Sequence, residues 1–322
     1  MSLVKADMNY FCRNFLFMEH GSFESKSVIG KMVILGAIIF FSSVVFSLVG
    51  LLLLGLIFGV SGVQVVLGNN LSNINALKLI QSLQTIGIFI VPAIFSAFLF
   101  SKKPWHYLGF QTVKFNTILK TLLIVLIALP GINLLASINQ LFPMSDWMVE
   151  MEEKAEALTK AFLITENFGV YLINIFIIAI LPALGEELIF RGILQRRLVE
   201  LTRSRWIGII IAAALFSAIH MQFQGFIPRF ALGVAFGYLL EVTGSIWVPI
   251  AAHFFNNAIA ATGYMLLGMG TVDERIEDIG GLSDLWLLGL VSLAVTSLLI
   301  ASIKRKFERN SELKQTGDSV IE

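Results

Sequence analysis

Apolar residues come in long unbroken blocks rather than alternating with polar ones. Read with about 20 apolar residues needed to cross a bilayer, the chain offers eight such blocks. They lie at about 32–60, 77–100, 117–142, 168–194, 206–223, 226–243, 246–268 and 283–303. Continuous apolarity without period-two alternation predicts helices, not barrel strands. The fifth and sixth blocks are the shortest and share the link Gln222–Pro228. The expected fold is therefore an all-α bundle of about eight transmembrane helices.

Composition supports this reading. Of 322 residues, 57% are hydrophobic and 14% charged, against roughly 25% charged in a soluble globular protein. No charged residue occurs among the 46 positions between Lys31 and Lys78, a stretch that would leave a soluble surface adhesive. The net charge of +1 gives no bulk attraction for nucleic acid. A lone cysteine, Cys12, excludes an internal disulfide. The first apolar block follows a polar leader and is longer than a signal-peptide core, so it reads as a retained anchor.

Positive charge gives the expected direction. The leader carries Lys5, Arg13, Lys26 and Lys31, the 101–116 loop Lys102, Lys103 and Lys114, and the 195–205 loop Arg196, Arg197, Arg203 and Arg205. The tail adds Lys304, Arg305, Lys306, Arg309 and Lys314. Alternate loops hold only Lys154, Lys160, Arg229 and Arg275. Both termini are thus expected in the cytoplasm. The chain divides into a cytoplasmic leader (1–31), a membrane domain (32–303) and a cytoplasmic tail (304–322).

One outer segment is more than a linker. Between Pro143 and Asn167 stand six acids, and Trp147, Met148, Met151, Ala155 and Leu158 recur at helical spacing behind Ser145 or Asp146 as a cap. It reads either as an interfacial helix or as a lid that contacts substrate. Gly233 and Gly237 form a GxxxG spacing, expected to bring helices close.

Ionisable groups inside a membrane are functional candidates. The fourth block contains Glu186-Glu187 and Arg191, the fifth Phe216 and His220, the seventh His253 and Asn257. At about 1.5 Å per residue, Glu186, His220 and His253 lie about 15, 22 and 12 Å from their cytoplasmic edges. All three can reach one cavity near the middle of the core. Glu187 and Arg191, at i,i+4, can pair along one helix face, while Glu186 points about 100° away. Pro182 and Gly185 could loosen this helix just before the pair. His253 and Asn257 share a face at the same spacing and could donate to one oxygen.

Such a set permits two chemistries. A carboxylate and a histidine can position and deprotonate water while a donor pair stabilises an oxyanion. Alternatively, Glu186, His220 and His253 could hold a divalent metal such as zinc with one open position. The competing physical readings are a self-satisfied ion pair with packing histidines, and a proton-coupled transporter. HExxH, GxSxG and P-loop signatures are absent from the sequence.

Together, Glu186-Glu187…Arg191, Phe216…His220 and His253…Asn257 resemble the EExxxR, FxxxH and HxxxN motifs of the CPBP family, the CAAX proteases and bacteriocin-processing intramembrane proteases. The resemblance covers about residues 168–260, with Trp105…Leu108-Gly109-Phe110 similar to the family's upstream loop. It implies an eight-helix membrane endopeptidase acting on a membrane-embedded or lipid-anchored, for example prenylated, protein or peptide. Glu186 and His220 would activate water, His253 and Asn257 would stabilise the oxyanion, and Glu187 and Arg191 would support them. The family has been described both as metal-dependent and as glutamate-type. A non-catalytic immunity or scaffold protein retaining the motifs is the alternative within it.

Overall fold

The computed structural model describes residues 20–68, 70–273 and 279–316. Cys12, Lys5, Arg13, Arg275 and the last six residues of the tail lie outside them, as do the side chains of Lys306, Arg309 and Lys314. Within the described residues there are helices and no strand. They are α1 (Val28–Leu67), α2 (Ile74–Phe100), α3 (Pro104–Leu108), α4 (Phe115–Asn139), α5 (Asp146–Leu163), α6 (Phe168–Thr202), α7 (Arg205–Ala218), α8 (Phe226–Thr243), α9 (Trp247–Gly268) and α10 (Trp286–Thr316).

Every apolar block is helical, and six of the helices are long and apolar enough to cross a membrane: α1, α2, α4, α6, α8 and the Trp286–Arg305 part of α10. The chain is an all-α polytopic membrane protein. The other two helices fall short for identifiable reasons. α7 ends at Ala218 rather than near 223, so its 14 residues rise only about 21 Å. α9 has the length, at 22 residues, but gives part of its apolarity to His253, Asn256 and Asn257.

Helix ends follow local chemistry. Ser27 Oγ accepts from Gly30 N at the start of α1, Asn73 Oδ1 from Ala76 N at α2, and Asn167 Oδ1 from Val170 N at α6; each satisfies an otherwise orphaned donor. Gly244, at φ 66°, turns the chain sharply between α8 and α9. α1 begins four residues before the expected block and is kinked at Gly59, where φ is 67° and ψ −164°. Its outward residues, among them Phe40, Phe41, Leu52 and Leu56, are exposed, as suits a lipid-facing helix. α10 continues as helix past 303 because nothing in the charged Lys304–Arg309 stretch breaks it.

The main core gathers Leu35, Ala93, Ala97, Leu108, Leu188, Ile189, Phe190, Ile193 and Phe216 around α6. Two helices lose regularity where they meet. α2 has a π-helical turn at Ile86–Ile90 just before Pro92, and α6 has one at Ile175–Ile180 just before Pro182. Gly185, in the regular stretch that follows this turn of α6, lets α6 approach the irregular segment of α2, for a Cβ there would lie 2.8 Å from Phe89 Cβ and 3.1 Å from Ile90 Cγ1. Substituting Gly185→Ala is expected to destabilise the fold by about 1–3 kcal/mol through overpacking, read as a lowered melting temperature in detergent. An unchanged melting temperature would mean that this contact is looser than described.

Candidate active site

The polar centre is built on α6, where a second π-helical segment, Leu188–Gln195, follows the glutamate pair. Glu187 and Arg191 are buried, at 0% and 1% exposure. Arg191 Nη1 donates to Glu187 Oε1 at 2.9 Å, the pairing expected from their spacing. The same oxygen receives His253 Nδ1 at 2.8 Å. One carboxylate oxygen therefore joins α6 to α9. Arg191 is held further by Nη2 donating to Gly233 O at 3.2 Å, with its guanidinium 4.4 Å from the Phe216 ring centre and 5.8 Å from that of Phe236. One turn on, Gln195 Nε2 donates to Gly237 O at 3.0 Å. The GxxxG stripe of α8 thus admits two polar side chains of α6 as well as the α7 backbone beside Gly233.

Glu186 points to a different place, as its angular offset from Glu187 requires. Its Oε2 lies 4.0 Å from His220 Nε2 and 3.9 Å from His253 Nε2, with no hydrogen-bond partner although buried. The structure therefore brings Glu186, His220 and His253 together. What the imidazoles offer follows from their other nitrogens. His220 Nδ1 lies 2.8 Å from Phe216 O, and a carbonyl can only accept, so that nitrogen carries the proton. His253 Nδ1 donates to the Glu187 carboxylate by the same reasoning. In the neutral rings both Nε2 atoms are then bare acceptors facing a carboxylate oxygen.

Such a gap calls for a proton donor or a cation. A water making hydrogen bonds of about 2.8 Å to Glu186 and either imidazole would subtend about 90° at a separation of 3.9–4.0 Å, an angle that water accommodates. The donor set also fits zinc in kind, with two imidazole nitrogens and one carboxylate oxygen, each ring oriented through its second nitrogen. Tetrahedral zinc would need those atoms about 3.3 Å apart. The spacing is wider than that, and among the described residues no group of three or more His, Cys, Asp or Glu already has metal-binding geometry.

Asn257 stands apart from this trio. Its Nδ2 donates to Ile178 O at 3.1 Å, and Pro182, four residues beyond Ile178, has no N–H to return to that carbonyl. Asn257 thus satisfies a group freed by the proline, and in this arrangement His253 and Asn257 share no acceptor.

Two contributors were not singled out from the sequence. Arg229, counted there as an outer-loop charge, lies in α8 and grips the link after His220, with Nη2 donating to Gln222 O at 2.6 Å and Nη1 to Gln222 Oε1. Glu152 of α5 accepts from Phe223 N at 2.7 Å and Gln224 N at 3.2 Å. Neither is motif-spaced; the only signal was an acid-rich amphipathic segment. His220 itself falls just beyond the end of α7, followed by Met221 at φ 52°, a left-handed backbone that costs about 1 kcal/mol or more in a non-glycine residue.

A carboxylate and two imidazoles that face one another within an all-α membrane bundle mark the class: a membrane protein with an ionisable cluster inside it. Residues 168–259 match the family model described as type II CAAX prenyl endopeptidase Rce1-like, so this stretch is similar to Rce1-like domains, in keeping with the CPBP resemblance of its motifs. It contains all three motif segments. Two curated relatives from Bacillus subtilis (strain 168) are similar. "Uncharacterized protein YpbD" is 33% identical over 92 residues, 27% of this chain and 44% of the relative. "Putative membrane peptidase YdiL" is 34% identical over 83 residues, 26% of this chain and 34% of the relative. The chain spans less than half the length of the curated relatives it matches. No solved structure matches it.

Removing Glu187 or Arg191 leaves the other as a buried charge without its partner, which typically costs about 3–5 kcal/mol. Arg191→Leu is expected to lower the melting temperature in detergent sharply, and Arg191→Lys to restore only part, since an ammonium cannot reproduce the guanidinium fork. Wild-type stability in Arg191→Leu would show the group to be dispensable for the fold.

Proposed function

We propose that this protein is an intramembrane endopeptidase that hydrolyses a peptide bond in a membrane-embedded or lipid-anchored protein or peptide, prenylated substrates included. The observation that carries this reading is the convergence of Glu186 Oε2 with two imidazole Nε2 atoms whose Nδ1 protons are committed elsewhere. The Rce1-like match over 168–259 and the printed name of the YdiL relative support it. Residues 168–260 are the catalytic core of the membrane domain 32–303, and both termini face the cytoplasm.

Glu186 and His220 hold the water. As its oxygen attacks the substrate carbonyl carbon, Glu186 takes the proton and later delivers it to the leaving amine, so that atoms and charge balance over the cycle. His253, braced by Glu187 and Arg191, can face the carbonyl oxygen as a donor through Nε2 only in its imidazolium form, whose extra proton comes from solvent before the cycle begins and stays on the ring throughout. Asn257 can join it only by releasing Ile178 O. If the enzyme is metal-dependent, Glu186, His220 and His253 would hold the divalent ion, which would polarise the same water.

Purified protein incubated with farnesylated and lipidated reporter peptides is expected to cleave at least one of them. Glu186→Gln, His220→Ala and His253→Ala should each lower kcat by about 10²–10⁴-fold, the usual range for losing a general acid or base. Equal cleavage by wild type and all three variants would eliminate the site. Metal analysis of the same preparations separates the two chemistries: a stoichiometric ion with chelator-sensitive turnover assigns the metal-dependent form, and turnover unaffected by chelators assigns the glutamate form. Reporter fusions in the 101–116 and 143–167 loops are expected on opposite sides of the membrane. The same side for both would refute the orientation.

A further inference from the structure

His220 is the one member of the trio that does not sit within a helix. It lies at the start of the 219–225 link between α7 and α8, and the residue after it, Met221, is held in the left-handed region at φ 52°. A strained conformation persists only when its surroundings over-determine it. Here those surroundings form a clamp on residues 222–227. Asn139 Nδ2 donates to Phe223 O at 2.8 Å, and Asn139 Oδ1 accepts from Ile227 N at 2.7 Å. Arg229 holds Gln222, and Ser217 Oγ donates to Phe226 O at 2.7 Å.

The remaining side of the clamp comes from α5, a helix outside the motif-bearing segments. Its acids behave in two ways. Glu150 and Glu156 pair along the helix with Lys154 and Lys160 at 2.6 and 2.8 Å, in exposed positions. Glu152 turns inward, and its Oε2 accepts both the Phe223 and Gln224 backbone N–H groups. Five residues earlier Trp147 packs edge-to-face on Phe223, ring centres 5.1 Å apart. The N-terminal half of α5 has no buried residue, since burial begins at Phe162 and Leu163. Glu152 and Trp147 are therefore its anchors on this link.

We propose that Glu152 is a positioning residue: through the Phe223 and Gln224 amides it fixes the 219–225 link and so sets His220 Nε2 opposite Glu186. The assignment rests on the hydrolase reading above and extends it to α5, which serves as a brace for the site and more than a connector. Glu152 acts through the link backbone and not on the reacting atoms.

The test uses full-length protein in detergent, with the lipidated peptide the wild type cleaves. In Glu152→Ala, kcat should fall at least tenfold with KM within twofold. Glu152→Gln, which keeps an acceptor but loses the charge that strengthens its bonds, should lie between Ala and wild type. Glu153→Ala, an exposed neighbour, should match wild type. Independently of turnover, diethyl pyrocarbonate labelling followed by mass spectrometry should show His220 modified at least threefold faster in Glu152→Ala, with His20 and His106 as internal references and His253 unchanged. Wild-type values of kcat and of His220 reactivity in Glu152→Ala overturn the proposal. Should that variant not fold, wild-type values in Glu152→Gln overturn it. If the wild type cleaves no peptide, the hydrolase reading fails by itself, while His220 labelling still decides whether Glu152 positions the link.

Discussion

The site depends on one buried oxygen. Glu187 Oε1 accepts from both Arg191 and His253, and the two donors reach it from different helices. Stripping three such groups of water is expensive, and the Coulombic return offsets it only when geometry is good and the remaining hydrogen-bonding capacity is used. Both conditions hold for the guanidinium, which is shared among the carboxylate, the Gly233 carbonyl and two aromatic faces. The reward is chemical as much as structural. With its Nδ1 proton fixed on Glu187, His253 must present Nε2 to Glu186, so the supporting pair sets the tautomer of the residue in front of it.

That arrangement needs a helix able to carry acids, a proline and an arginine in close succession without exposing backbone to lipid. α6 meets the need by departing from α geometry twice, at Ile175–Ile180 and Leu188–Gln195. π-helical turns widen the helix and are common at functional sites. The first leaves a carbonyl that a membrane interior cannot hydrate, and a side chain from a facing helix attends to it. Asn257 takes the Ile178 carbonyl. Arg191 and Gln195, within the second segment, serve carbonyls exposed on α8 by its glycines. Irregular backbone and intramembrane polar side chains therefore explain each other.

Much of this was legible in the sequence, and the part that was not has a common cause. Helix type follows from block length, because lipid forces the backbone to bond internally, whereas of the eight blocks six form helices long and apolar enough to cross a membrane. The Glu187–Arg191 pair and the divergence of Glu186 follow from the helical period alone. Convergence of Glu186, His220 and His253 could be reached by counting depth, since rise per residue is fixed. What no local rule supplies is which atom meets which across helices. The His253–Glu187 bond spans 66 residues, and the helical spacing that placed His253 and Asn257 on one face could not reveal that Asn257 would answer a proline on α6. The end of α7 at Ala218 was missed because apolarity continues through Ile219 and Met221, whereas the backbone turns there under tertiary constraint.

That early end has its own logic. A histidine inside a helix is aimed by its rotamer and its helix's packing, and His253 is of this kind. Placing His220 past the helix end gives it reach toward Glu186 while its Nδ1 still borrows the Phe216 carbonyl, but the link that carries it has only two residues between His220 and Phe223. A chain so short transmits displacement directly, so the bonds from Asn139 and Glu152 at 223 and 224 act close to the imidazole. The two histidines facing Glu186 are thus fixed by different means, one by a buried charge inside the bundle and one by hydrogen bonds from α4 and α5 at its edge.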